Sequence, residues 1–498
     1  MNSNNVIASS PSWLILAFLV IAILIGGALG YATVEIGKPV LLIAGAIALI
    51  LAVVSIFNSE VGLLMLIVIT YVRLSDILIR YHGLPSIAKP FIALLLVGIF
   101  LRWFLKRESP KGWIQSAILV GAYGLVVFAS LFYAADFQRA QEAFSDYFKD
   151  GIITVIIVVL LQTGATFKRV IWALLAAGFF LGTIGVYQYL TRTFDNNYYG
   201  FGQAPLQHIV GEENSNRISG PIGDPNFFAQ IMLVIVPLGL NRMVYEKKTV
   251  LKVLAGWIAI AALLTVIFTY SRGAFLALLL MAFVMFLYRP LKFTEVLVGI
   301  LLITIVIRFV PNPYLERIST IQDIFSNQYG VRGEVSFRGR ASEALAAWLM
   351  FADHPILGVG VQNYPIYYQY YSRQLGLDPR LEARSAHSLY LQIAAETGLL
   401  GIIVFGTILW LMFRNIRIAW RRLEQAGATD YAGMVFSFAI GVVGYMSASL
   451  FIHGAYPRYF WILAGVALAI PHVAENVILL RRDALTKKGG RIGRISGG

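Results

Sequence analysis

The 498-residue sequence predicts an all-α, polytopic integral membrane protein of about 12–14 transmembrane helices, with a long external segment containing short amphipathic helices. The first observation behind this is composition: 58% hydrophobic against 13% charged residues and a mean hydropathy of +0.73 lie outside the balance of a soluble domain. The second is length, because a hydrocarbon core about 30 Å thick is crossed by roughly 20 apolar residues, and runs of that kind recur along the chain. The third is the placement of Lys and Arg in short segments between those runs: "RWFLKRESPK", "RMVYEKKTVLK", "RPLK", "RNIRIAWRR" and the tail "RRDALTKKGGRIGR".

Taken in order, the run at 11–33 follows "MNSNNVIASSPSW", which lacks the basic flank of a signal peptide, so it is expected to remain as an uncleaved first helix. Further spans are predicted near 39–57, 60–72, 88–104, 113–133, 149–163, 170–190, 225–243, 250–269, 274–288, 293–310, 388–413, 432–452 and 459–480. The third, sixth and tenth are short enough to be tilted, re-entrant or fused with a neighbour. Basic-segment placement puts both termini in the cytoplasm and the net charge of +14 on that face. A pI of 9.7 then reports topology and attraction to anionic lipid, not a nucleic-acid partner. With no cysteine, disulfides and thiolate metal sites are excluded. The chain divides into N-terminal helices (1–190), a candidate functional region (191–480) with external loops at 191–224 and 311–386, and a basic cytoplasmic tail (481–498).

Polar segments as long as the two external loops usually carry a site. The first ends "NRISGPIGDPNFFAQIML", where Asp224 reads as an N-cap, Pro225 as the first helical residue and Asn226 as its supporting neighbour. The exposed helix end and Arg217 together could seat a phosphate, or could be only a cap beside a solvated arginine. In "YSRGAFLALLL", Arg272 occupies a tight external turn, where it could bind an anion or simply snorkel. In the second loop Ala341, Leu345, Trp348 and Ala352 share one helical face while Arg338, Ser342 and Glu343 share another, as on a helix lying along an interface. Arg338 and Arg340 could reach a phosphate or a lipid headgroup. Five tyrosines crowd "NYPIYYQYYSRQLG", which reads as an aromatic belt in preference to a sugar-stacking surface.

The last segment, "RSAHSLYLQIAAETGLLG", opens an apolar helix. With Ser385 or Ser388 as cap, His387 is expected in its first turn, where the helix end would keep the imidazole neutral and able to accept a proton. Glu396, nine residues on at about 100° each, points nearly opposite. It is expected to serve structurally, protonated or hydrogen-bonded to a neighbouring helix. A stripe of Ala394, Gly398 and Gly401 on the His387 face is expected to admit another helix closely.

Taken together and in order, "GPIGDPNFFAQ", "SRGAFLALL", "RASEALAAWLMFADHPILGVGVQNYP" and "AHSLYLQIAAETGLLG" resemble the O-antigen ligase-like membrane glycosyltransferases, a family of O-antigen ligases and polysaccharide polymerases. The resemblance implies transfer of a glycan from a polyprenyl-diphosphate donor to an acceptor sugar hydroxyl, on a lipid core sugar or a growing polysaccharide, at the periplasmic face of the bacterial inner membrane. It implies neither cofactor nor metal. By the same resemblance His387 is the acceptor base, Arg217 and Arg272 grip the diphosphate with Arg338 and Arg340 beside them, and ligase is slightly favoured over polymerase. A lipid-linked oligosaccharide flippase or small-solute transporter would instead place ionisable residues at mid-membrane in paired repeats, which the sequence does not display.

Overall fold

The computed structural model describes residues 52–107, 111–207, 215–288, 297, 304, 334–376, 384–452 and 458–495. The predicted span at 11–33, that at 293–310 apart from residues 297 and 304, and most of 39–57 lie outside the described residues, as do 311–333 of the second external loop. What is described is helical, apart from a two-residue antiparallel pair, Leu206–Gln207 with Ser215–Asn216, inside the first loop. Eight of the described helices are long and apolar enough to cross a membrane, or nine if one bent pair counts as a span. The protein is therefore an all-α polytopic membrane protein.

That bent pair is α1 (Ser59–Tyr71) and α2 (Leu74–His82), which meet at 51° around Arg73, whose φ of 58° ends the first helix. Then come α3 (Ala88–Lys106), α4 (Trp113–Ala129), α5 (Phe137–Leu160) and α6 (Gly164–Thr191). The short sixth span expected from the sequence becomes α5, which starts earlier because the Asp136 side chain caps it by accepting from the Arg139 N–H. The remaining helices are α7 (Pro225–Tyr245), α8 (Thr249–Phe268), α9 (Arg272–Tyr288), α10 (Glu334–Asp353), α11 (Tyr364–Leu375), α12 (Leu389–Gln425), α13 (Thr429–Ala448) and α14 (Arg458–Ile495). The last continues through most of the segment expected to be a basic tail.

The centre of the bundle is α7, packed against α8 and α13. Small residues permit the contact: a Cβ on Gly239 would come within 3.0 Å of the Ala255 carbonyl oxygen, and one on Gly441 within 3.1 Å of that of Val234. Gln230 of α7 is tied across by Nε2 bonds to the Tyr445 carbonyl (2.9 Å) and Ser449 Oγ (2.6 Å), which satisfies amide protons that lipid could not. The same core continues into α4, α5 and α14 through the rings of Tyr123, Tyr147 and Trp461. At one end of the bundle the fully buried Arg242 pairs with Asp430 and lies 3.8 Å from Glu246, which also pairs with Lys168. Arg217, Asp224, Arg272 and His387 gather at the other end.

Candidate active site

The site is framed by the termini of three bundle helices. At the start of α7, Asp224 accepts from the N–H groups of Asn226 (2.7 Å) and Phe227 (3.0 Å), with Pro225 as the first helical residue, as the local sequence predicts. Arg217 is not a solvated loop residue. It is 4% exposed; its Nε donates to the Thr269 carbonyl at the end of α8 (2.7 Å) and an Nη to Asn226 Oδ1 (3.2 Å). One guanidinium thus joins the start of α7 to the end of α8, and through the turn at Tyr270, whose φ is 52°, to Arg272. The Nε of Arg272 is buried with no hydrogen-bond partner among the described residues. Such an orphaned donor on a permanent cation is a feature that calls for an anionic partner.

Facing this frame is α10, on which the polar residues turn inward. Ser342 and Glu343 are fully buried, while Leu345 and Trp348 are 44% and 58% exposed. Glu343 is not marked as a site residue by the sequence, yet it lies at the centre of the cluster. Its Oε1 accepts from Arg384 Nη1 at 2.7 Å, and its Oε2 lies 3.7 Å from His387 Nε2. Arg340, one turn before Glu343, completes the group. Loss of hydration and the nearby charges of Arg272 and Arg384 pull its guanidinium below the ordinary arginine range, and Glu343 pulls it back. The structure therefore brings together Arg272, Arg340, Arg384, Glu343 and His387, with Arg217 buried behind the Arg272 turn. The Arg338 side chain lies outside the described residues.

His387 is displaced from its expected position. The cap of α12 is Ser388, whose side chain makes no cap bond; instead the Leu389 N–H donates to the Ser449 carbonyl at the end of α13 (2.9 Å). His387 thus precedes the cap and is not in the first turn. It takes a left-handed backbone (φ 44°) with its side chain 37% exposed, a strained conformation of the kind that concentrates at functional sites. The ring is presented by that kink and by Glu343, more than by the helix dipole.

Two further expectations are corrected. Three of the five clustered tyrosines do not form an aromatic belt: Tyr364, Tyr368 and Tyr371 are buried, and their hydroxyls donate to the Glu343 carbonyl (2.6 Å), Ser342 Oγ (3.2 Å) and Asp353 Oδ2 (2.7 Å), while Tyr370 is exposed. The buried three are struts that hold α10 on α11. The small-residue stripe does not seat a helix either, because α12 breaks at Gly398 (φ 60°, ψ −157°) and a loop backbone enters the gap. There the N–H groups of Val359 and Gly360 donate to the carbonyls of Ala395 and Glu396, and that of Leu399 to Pro355. Glu396 itself is fully buried; its Oε1 accepts from Gln392 Nε2 at 3.2 Å and, more distantly, from the Tyr364 N–H at 3.4 Å. Its carboxylate so rests on the positive end of α11, hydrogen-bonded to a neighbouring helix as the sequence suggests.

Residues 257–406 match the family model described as O-antigen ligase. Over that stretch the chain is similar to the O-antigen ligases. That segment includes Arg272, Arg340, Glu343, Arg384 and His387, while Arg217 and Asp224 precede it. The match supports a ligase- or polymerase-type function in surface polysaccharide assembly. No curated protein matches the chain.

Proposed function

We propose that the protein transfers a glycan from a polyprenyl-diphosphate donor to a sugar hydroxyl of a lipid core or growing polysaccharide. In this reading the site faces the periplasm, both termini lie in the cytoplasm, and the bilayer is that of the bacterial inner membrane. The observation that carries it is the convergence of Arg272, whose Nε has no partner among the described residues, with Arg340 and Arg384 beside His387. Three guanidiniums suit a diphosphate that gains negative charge as it leaves. Arg217, with two nitrogens already engaged, adds charge and holds the Arg272 turn in place; Arg338, on the same helix as Arg340, is a further candidate contact.

Chemically, Glu343 beside Nε2 favours the tautomer that carries its proton there, leaving Nδ1 of His387 to accept the acceptor's hydroxyl proton. The oxygen attacks the anomeric carbon as the carbon–oxygen bond to the diphosphate breaks, and the electron pair leaves with polyprenyl diphosphate. In-line displacement inverts the anomeric centre. General-base help of this kind contributes a factor of about 10² to 10⁴, and charge neutralisation by the arginines assists the other bond.

The test is transfer by the purified protein from a synthetic polyprenyl-diphosphate glycan. His387→Ala is expected to abolish transfer with donor binding largely intact, and Arg272→Ala to weaken donor binding. Retained activity in the first variant removes His387 from the mechanism; unchanged donor affinity in the second removes the clamp. Mass spectrometry of glycan acceptors from cells with and without the protein distinguishes ligase from polymerase.

A further inference from the structure

At the same end of the bundle is a polar cavity, of about 650 Å³, built largely by helices outside the family match. In its walls Arg458, at the start of α14, lies 3.3 Å from Asp76 of α2 and 3.2 Å from the buried Asp150 of α5, and Arg73 pairs with Asp76 at 2.9 Å. Three exposed residues of α5, Arg139, Glu142 and Asp146, also line it. Two of its lining residues adjoin, along the chain, residues that support the candidate active site. Phe227 is the residue after Asn226, which holds Arg217, and Gln362 lies two residues before Tyr364, whose N–H faces Glu396. Arg73 and Gln362 have φ of 58° and 59°, so two of the lining residues are held in strained backbone.

From this lining we infer that the cavity is a saccharide subsite for the acceptor glycan, which rests on the transfer reaction proposed above. Four carboxylates against three guanidiniums disfavour a diphosphate, in contrast to the cation-rich cluster at His387. Carboxylates and guanidiniums side by side suit the vicinal hydroxyls of a neutral sugar, each of which both gives and accepts a hydrogen bond. Phe227, half-buried in the lining beside the buried Tyr459, offers the apolar contact such a polyol also needs. The volume falls within the roughly 300–1,000 Å³ typical of ligand pockets.

The test uses the full-length protein in nanodiscs and a Glu142→Gln/Asp146→Asn double variant, two exposed positions outside the catalytic cluster. The acceptor probe is the water-soluble oligosaccharide released by mild acid from the surface polysaccharide of cells that make this protein. With transfer as the readout, the variant is expected to raise the acceptor KM about ten- to a hundredfold, the loss expected for hydrogen bonds to charged groups, with kcat and donor KM unchanged. Calorimetric binding of the same oligosaccharide, which needs no turnover, is expected to fall by the same factor. Unchanged acceptor KM and binding overturn the subsite while leaving the transfer reaction standing, as does a rise in donor KM alone. If the wild-type protein binds the oligosaccharide and the variant does not, yet neither transfers, the reaction assignment fails and the saccharide site survives.

Discussion

Replacing Gly398 by alanine is a direct probe of how the site is assembled. Its φ and ψ of 60° and −157° lie in a region essentially closed to residues with a Cβ. A Cβ there would stand 2.5 Å from the carbonyl carbon and oxygen of Ile356 and 2.7 Å from the Leu357 nitrogen. All of these are backbone atoms, so no side-chain rotation relieves the contact. The conformational cost alone is about 1–3 kcal/mol, and the clash adds the loss of the bonds that Val359, Gly360 and Leu399 make across the break, each worth about 1 kcal/mol net. A total of roughly 4–6 kcal/mol follows, enough to lift the 355–360 loop from α12 and, with it, the α10–α11 pair that carries Glu343. Thermal unfolding of the purified protein in detergent, paired with a transfer assay, measures both consequences. The expected result is a Tm lowered by several degrees and transfer reduced by more than the loss of folded protein explains. Gly406→Ala is the control: it lies in the helical part of α12, where an added Cβ would meet open space, and should be neutral or slightly stabilising. If Gly398→Ala and Gly406→Ala behave alike in both assays, the backbone crossing is not what positions the cluster.

Three other outcomes are expected. Glu343→Gln keeps the shape but removes the charge that faces Arg384 and His387, so transfer should fall about 10²–10⁴-fold without weaker donor binding in a titration; an unaltered rate would refute the orienting role. Arg217→Lys cannot reproduce the fork between Thr269 and Asn226, and stability and activity should drop together; lost donor affinity at unchanged Tm would show instead that Arg217 acts mainly on the substrate. Asp224→Ala should cost about 0.5–2 kcal/mol of stability, visible as a lower Tm that Asp224→Asn largely restores, and an unchanged Tm would mean that the two cap bonds add nothing.

What can be read from the sequence depends on how local the determining forces are. The Asp224 cap is legible because both its bonds reach only two and three residues ahead. The start of α12 is not, since Ser385 and Ser388 are equally able caps, and the choice is made by a bond from Leu389 to Ser449 on another helix. Tyrosine content cannot separate an interfacial belt from buried struts; only the partners of Tyr364, Tyr368 and Tyr371 do so. Glu343 and Arg384 pair across 41 positions, so neither marks the other. A weaker signal is present: Glu343 shares a face with Ser342 on a helix whose opposite face carries Leu345 and Trp348. The break at Gly398 also has a sign in "GVG" at 358–360, since a Cβ on Gly358 would come within 2.3 Å of the Glu396 carbonyl carbon. Gly398 looks like part of a stripe for a helix because sequence reveals only one side of a contact whose other side is the backbone of Ile356 and Leu357.

The two-sided character of α10 has a consequence for depth. Trp348 stands five residues beyond Glu343, roughly 140° around the helix at about 100° per residue, and is directed outward while Glu343 is directed inward. A helix with a lipid-seeking outer flank and an ionic inner flank floats at the water line, as a buoy does, and whatever is fastened to its inner flank is held at that same height. Under the proposed transfer reaction the cluster is levelled against the headgroups themselves, so that a diphosphate whose prenyl tail stays in the bilayer would meet the arginines without being lifted. Bilayers of different thickness would leave this register unchanged, because the reference is the surface and not the length of any spanning helix.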